Sequence, residues 1–166
     1  MATTIGLPLN RFITLHWEAA GLPLEGMARA TGRLVDLLTK WLARRGHRTA
    51  WIWVHENGAG GGGHCHLVAH IPPDCVADLT SVQKRWLRKI TGRPYRVNVV
   101  KSVPIGGRLG LEASSPDLHV ANLKTVMAYV IKQADAAASS PFQERGGRVI
   151  GKRCGTSQNI GAKARG

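Results

Sequence analysis

The sequence predicts an α+β fold, a four- to five-stranded antiparallel sheet with helices packed on it. Three observations predict it. Segments of strand period alternate with segments of helical period, a glycine run joins two neighbouring strand segments, and 166 residues suffice for one domain core. RFITLHW (11–17) is rich in β-branched and aromatic residues and reads as the first strand. A helix follows over about 25–46, where Met27, Leu34, Leu37, Leu38 and Trp41 recur at helical spacing as core and Gly46 marks the end. TAWIWVHE (49–56) and HCHLVAHI (64–71) are the second and third strands, and the GAGGGG between them reads as a mobile loop that makes the pair a hairpin. DCVADLTSVQKRWLRKITG (74–92) is a second helix with Asp74 as N-cap, and YRVNVVKSV (95–103) a fourth strand. A Gly/Ser-rich loop over 104–116 leads to a third helix, DLHVANLKTVMAYVIKQAD (117–135). The order β-α-β-β-α-β plus a helix matches the split βαβ arrangement, the ferredoxin-like or RRM-like palm, with two helices on one face and the other open for a site. Residues 1–135 are expected to form the domain and 136–166 a basic, Gly-rich tail, with six Lys or Arg against one acid, Glu144.

Charge narrows the partner. Lys and Arg number 23 against 10 Asp and Glu, a formal net charge of +13, which favours a polyanion. The three cysteines, Cys65, Cys75 and Cys154, are too few and too scattered for a disulfide framework and lack Cys-x-x-Cys spacing. No stretch approaches the roughly 20 apolar residues of a membrane span, and MATTIGLPLNRF does not read as a secretion signal. A soluble, cytoplasmic protein without a membrane partner is expected.

Three features carry chemistry. In His64-Cys65-His66 the two imidazoles share one face of a strand, a spacing suited to one ion, while Cys65 points to the other face as a small buried residue. If the two hairpin strands pair across the glycine run, Glu56 comes close to His64 at its mouth. That completes a His-His-Glu set with open positions, suited to Mg²⁺ or Mn²⁺, although the ligand types also admit zinc. Alternation puts Ile52, Val54 and Glu56 on one face and Trp51, Trp53 and His55 on the other; a bulge would reverse the parity, so His55 is the fallback ligand. In Tyr129-Val130-Ile131-Lys132 residues three apart share a helix face, placing an ammonium beside a phenol. A phenol with pKa near 10 needs a nearby cation and a metal-polarised phosphate to attack at neutral pH.

In chain order, FITLHW, then Glu56 eight residues before HCH, then YVIK on a later helix, resemble the three motifs of HUH endonucleases of the rolling-circle replication initiator (Rep) class. GKRCGTSQNIG is also similar to the tail of phage- and plasmid-type replication-associated proteins. The resemblance covers residues 11 to about 133. It implies that Glu56, His64 and His66 bind the divalent ion, that Tyr129 is the single nucleophile and that Lys132 positions or stabilises the reacting groups. It implies attack on a scissile phosphate of single-stranded DNA, at an origin or hairpin, leaving a 5′-phosphotyrosine and a free 3′-hydroxyl. Relaxases of this superfamily place the Tyr upstream of the histidine pair; here it is downstream. Single-Tyr transposases share the present order, and often take a Gln from the Tyr helix as third ligand, a part Gln133 could play. Filamentous-phage initiators often carry two tyrosines on this helix, and here there is one.

Other residues receive plainer readings. Lys84, Arg85, Arg88 and Lys89, continued by Arg93, make a basic helix face, and Lys152 and Arg153 with Arg145 and Arg148 make the tail basic; all are candidates for DNA backbone contact. His70 lies about 13 Å along the strand from His66, too far for the same ion. His16 reads as strand filling, Tyr95 as packing, most Trp as core, and His119 as lining the start of the Tyr helix. The sequence thus carries three functions: a nickase and joiner starting rolling-circle replication with host helicase and polymerase, a transposase of the same chemistry, or a non-catalytic nucleic-acid binder. No GxxxxGK[ST] helicase motif follows, and the aromatic RNA-binding signature on adjacent strands is missing.

Overall fold

The computed structural model describes residues 1–58, 62–135 and 147–161, with side chains of the last long helix described through Ile131. Its elements are β1 (Arg11–His16), α1 (Leu24–Ala43), β2 (Trp51–Gly58), β3 (Gly62–Ala69), α2 (Val76–Thr91), β4 (Val100–Pro104), α3 (Leu111–Ser114), α4 (Pro116–Asp135) and β5 (Cys154–Thr156). The α+β class holds. The five strands lie in the order β4-β1-β3-β2-β5, and every pairing is antiparallel.

Strand alternation divides the side chains between two layers. Ile13, Leu15, Cys65 and Leu67 face α1 and α2, which contribute Met27, Leu34, Leu38, Trp41, Leu79, Val82, Trp86 and Leu87 to one core. Trp41 and Trp86 meet edge to face with ring centroids 5.8 Å apart and lock the two helices together. The helical spacing read in α1 is therefore packing.

The opposite face is not left open. Leu123, Val126, Met127 and Val130, a stripe at helical spacing on α4, pack with Val54, Val68, Leu7, Leu9, Ile105 and Ile160 into a second apolar cluster. Burying such a side chain fully stabilises by about 1.5–3 kcal/mol, so this stripe anchors α4 over the sheet.

Local signals displaced some expected boundaries. β4 begins at Val100 because Asn98 takes a left-handed φ of 66° and makes a turn of the preceding residues. Asp74 does not cap α2. It lies in a single turn over Pro73–Cys75, and its carboxylate meets His47 Nε2 at 3.2 Å. The loop over 104–116 holds the one-turn helix α3. The glycine run enters the ladder from both sides, with Gly58 opposite Gly62; the mobile-loop expectation for 59–61 lies outside the described residues.

The largest departure is at the C-terminal end. The described part of the expected tail is folded, with Cys154 opposite Val54 and Thr156 opposite Ile52. Gly155 is required there, because a Cβ would come within 2.7 Å of the Trp53 ring. His55 fastens this segment. Its backbone N–H donates to Arg153 O at 2.7 Å, and its Nδ1, 3.0 Å from Lys152 O, donates to that carbonyl. That fixes Nε2 as the acceptor from the Thr31 hydroxyl at 2.8 Å, which in turn accepts from Trp17 Nε1. Every polar atom of this buried chain is satisfied only with a neutral imidazole. Burial accordingly pushes His55 down from 6.5 to about 4.

A depressed histidine pKa stabilises the fold above the unfolded value and loses that stabilisation as pH falls. Chemical denaturation as a function of pH is expected to show about 3 kcal/mol lost between about pH 6.5 and 4, and His55→Gln should flatten that limb.

Candidate metal centre and nucleophile

The β2–β3 register brings Glu56 directly opposite His64 and Val54 opposite His66. All four side chains project from the face that α4 partly covers. His64 Nε2 lies 3.2 Å from Glu56 Oε2, and His66 Nε2 lies 3.4 Å from Glu56 Oε1. One carboxylate thus spans two imidazoles with one oxygen to each. One donor atom from each of the three residues lies within 4.8 Å of the other two. Donors bonded to a single ion at about 2.0–2.2 Å, at right angles, stand about 3 Å apart, so a modest contraction of the side chains brings the set onto one ion.

Two of its atoms call for such an ion. Glu56 Oε1 and His66 Nε2 are buried and have no hydrogen-bond partner among the described residues. The 3.4 Å pair is close enough for an ion pair but lacks hydrogen-bond geometry. Two nitrogens, one oxygen and buried orphan lone pairs fit a divalent cation. The fit concerns the class of ion and not its identity.

Neighbouring groups aim the ligands. Thr14, opposite His66 on β1, places its hydroxyl 3.2 Å from His66 Nδ1. His64 Nδ1 lies 2.9 Å from Gly62 O and donates to it, which leaves Nε2 for the metal side. Glu18 accepts the Gly63 N–H at 2.9 Å and holds that end of the hairpin in place. Phe12 stacks on His66, with centroids 5.3 Å apart and an interplanar angle of 25°.

Electrostatics follows the geometry. Burial raises the Glu56 carboxyl, but the two imidazoles outweigh it and hold the group at about 2. The Glu56 hydrogen bond raises His64 in return, against its burial. Glu56 and His64 thus favour each other's charged forms, and a divalent cation would supply positive charge in place of the imidazolium.

Tyr129 closes the site from α4. Its ring is 5.4 Å from His66 and 6.3 Å from Phe12, edge-on to the latter. Val130, fully buried, pins the helix beside it, while Tyr129 itself stays 49% exposed and reachable. Partial burial and the Glu56 charge both push the phenol above its usual value. A cation balancing Glu56 would relieve the second of these. Lys132 lies one turn further along the helix, and its side chain, like that of Gln133, falls outside the described residues.

The other expected residues separate from this centre. His55 is on the opposite face and fastened by Thr31 and Lys152 O, so the fallback ligand is ruled out by parity. Burial pushes the Cys65 thiol up to about 12, consistent with an inert core residue. His70 binds Pro8 O through Nδ1 at 2.8 Å, a structural role. Tyr95 packs against the larger core. His119 is buried, and neither ring nitrogen has a partner among the described residues.

His16 is not mere filling. It stands opposite His64 on the site face, with ring centroids 5.5 Å apart. Lys84, Arg85, Arg88 and Lys89 are exposed on α2, behind the sheet from Tyr129, and Arg93 is exposed just beyond that helix. Lys152 and Arg148 are exposed, whereas the Arg153 Nη2 is tied to Gly147 O at 2.9 Å. Arg145 lies outside the described residues. Phe12 and Thr14 were missed. Alternation in FITLHW groups them with His16, but only the pairing with β3 shows that this group faces the histidines.

No family model, curated protein or solved structure matches the chain. Among the described residues no helix is long and apolar enough to cross a membrane.

Calorimetric titration with Mn²⁺ tests the centre without reference to any activity. Glu56→Gln or His66→Ala should abolish measurable binding, and Thr14→Val should weaken it by about 10–100-fold with an unchanged far-ultraviolet spectrum.

Proposed function

We propose that this chain is a metal-dependent nicking and joining enzyme for single-stranded DNA, of the HUH kind, that starts rolling-circle replication of a plasmid or phage-like element. The observation that carries the reading is the convergence of Glu56 Oε1 and His66 Nε2, buried without hydrogen-bond partners, beneath the accessible ring of Tyr129.

In the proposed step the Tyr129 oxygen attacks the phosphorus of a scissile phosphodiester. An oxygen–phosphorus bond forms to Tyr129, the bond from phosphorus to the 3′-oxygen breaks, and the phenol proton ends on the released 3′-hydroxyl. A 5′-phosphotyrosine remains. One phosphodiester replaces another, so the step is close to thermoneutral and its reversal joins ends. A divalent ion held by Glu56, His64 and His66 would polarise a phosphoryl oxygen and oppose the charge that develops on the leaving oxygen. Two imidazoles among the donors favour Mn²⁺ over the harder, oxygen-seeking Mg²⁺.

The chain's own residues do the positioning. Phe12 braces both the His66 ring and Tyr129, and Val130 in the apolar cluster fixes the helix that carries the phenol. Lys132, three residues on, is proposed to stabilise the reacting phosphate. The exposed cations of the chain are proposed to hold DNA flanking the site. A strand seated at Tyr129 must round the sheet before it touches α2. A transposase with the same chemistry is the alternative, distinguished by the DNA it acts on.

Incubation of the protein with single-stranded origin or hairpin oligonucleotides and Mn²⁺ or Mg²⁺ should yield a protein–DNA adduct that survives denaturing electrophoresis. Tyr129→Phe should abolish it. Cleavage that persists in Tyr129→Phe removes the phenol from its role, and binding without any cleavage leaves a non-catalytic binder.

A further inference from the structure

We propose that His47, Asp74 and Cys75 form a second metal site, one that takes Zn²⁺ between the end of α1 and the start of α2. One ring nitrogen of His47, one carboxylate oxygen of Asp74 and the Cys75 sulfur lie within 4.8 Å of one another. The three come from two chain segments. His47 follows Gly46, whose left-handed φ of 77° turns the chain back after α1. Asp74 and Cys75 occupy the single turn that leads into α2.

The donor set decides the ion. Sulfur, imidazole and carboxylate together select Zn²⁺ over the hard ions that suit oxygen ligands. Four-coordinate zinc, with sulfur at about 2.3 Å and nitrogen or oxygen at about 2.0–2.2 Å, needs donors about 3.3–3.8 Å apart. The His47–Asp74 pair already stands at 3.2 Å. The remaining contraction, at most about 1 Å from separations within 4.8 Å, falls on side chains that are 33% and 68% exposed and turn without disturbing the core. Cys75 is packed into the core and supplies the fixed point. Water can complete the fourth position.

Binding exchanges a proton for a bond. The Cys75 thiol loses its proton to solvent, and the resulting thiolate donates its electron pair to Zn²⁺; nothing is oxidised or reduced. Burial and the adjacent Asp74 keep that thiol protonated otherwise. The site lies on the helix side of the sheet, shares no ligand with the Glu56 centre, and is independent of the function proposed above. Its consequence is a cross-link between α1 and α2 that adds stability whenever zinc is present.

Cobalt(II) tests this directly, because only a thiolate ligand gives a sulfur-to-cobalt charge-transfer band in the near ultraviolet, and the Glu56 centre has no sulfur. Full-length Cys154→Ser protein, which lacks the exposed thiol, is titrated with Co²⁺ and then Zn²⁺. The expected result is a saturable band, bleached by zinc, that persists when His64→Ala is added. His47→Asn and Cys75→Ala should each abolish it, and in the His64→Ala background, where the Glu56 centre is disabled, Zn²⁺ should raise Tm only in proteins that show the band. His47→Asn lies at the surface, so it reports even if Cys75→Ala fails to fold. No band at saturating Co²⁺, a band that survives His47→Asn, or one lost with His64→Ala overturns the proposal.

Discussion

A carboxylate buried on the face of a β-sheet is tolerated only against positive charge, and Glu56 meets that condition through the hydrogen-bonded His64 imidazole on one oxygen, with the His66 ring beside the other. The arrangement depends on strand register. A slip of one residue between β2 and β3 would carry Glu56 to the helix side and set His55 in its place. Gly58 opposite Gly62 at the end of the hairpin, the Thr14 hydroxyl and the Gly62 carbonyl all act to keep one carboxylate facing two nitrogens. The atoms left over after this mutual neutralisation, Glu56 Oε1 and His66 Nε2, are what make the site a place for a cation and not a closed ion pair.

The two layers divide the labour. Behind the sheet, α1 and α2 build the larger core and present cations to solvent. In front, α4 is held by a narrower apolar stripe that stops where the ionisable groups begin. Tyr129 stands at that boundary, one residue from fully buried Val130, so its helix is anchored while its ring stays half open to solvent.

Much of this was legible in the sequence, for physical reasons that differ from element to element. The hairpin followed from a glycine run between two apolar alternations, and the shared face of His64 and His66 from the period of a strand. Once the pairing was assumed, Glu56 opposite His64 followed, but a bulge would have exchanged it for His55, and only the unbroken ladder through Val54, His55 and Glu56 settles the parity. What stayed hidden depends on contacts distant in sequence. Thr14 and Phe12 acquire meaning only through their partners on β3, 52 residues away for Thr14 and His66. β5 is three residues long and carries no periodicity of its own; it exists because His55, Asn57 and Trp51 hold it from about a hundred positions back. The turn at Asn98 shortened β4 because alternation continues through a position whose backbone leaves the strand.

That short fifth strand also settles the fate of a sheet edge. Without it, β2 would present unpaired N–H and C=O groups along Ile52, Trp53 and Val54, an apolar ribbon of the kind that recruits a strand from another chain. On the far side β4 is brief, ends at Pro104 and displays Lys101 to solvent. Both borders of the sheet are therefore blunted, one by a covering segment and one by a charge and a proline, and the chain carries its own defence against edge-to-edge aggregation.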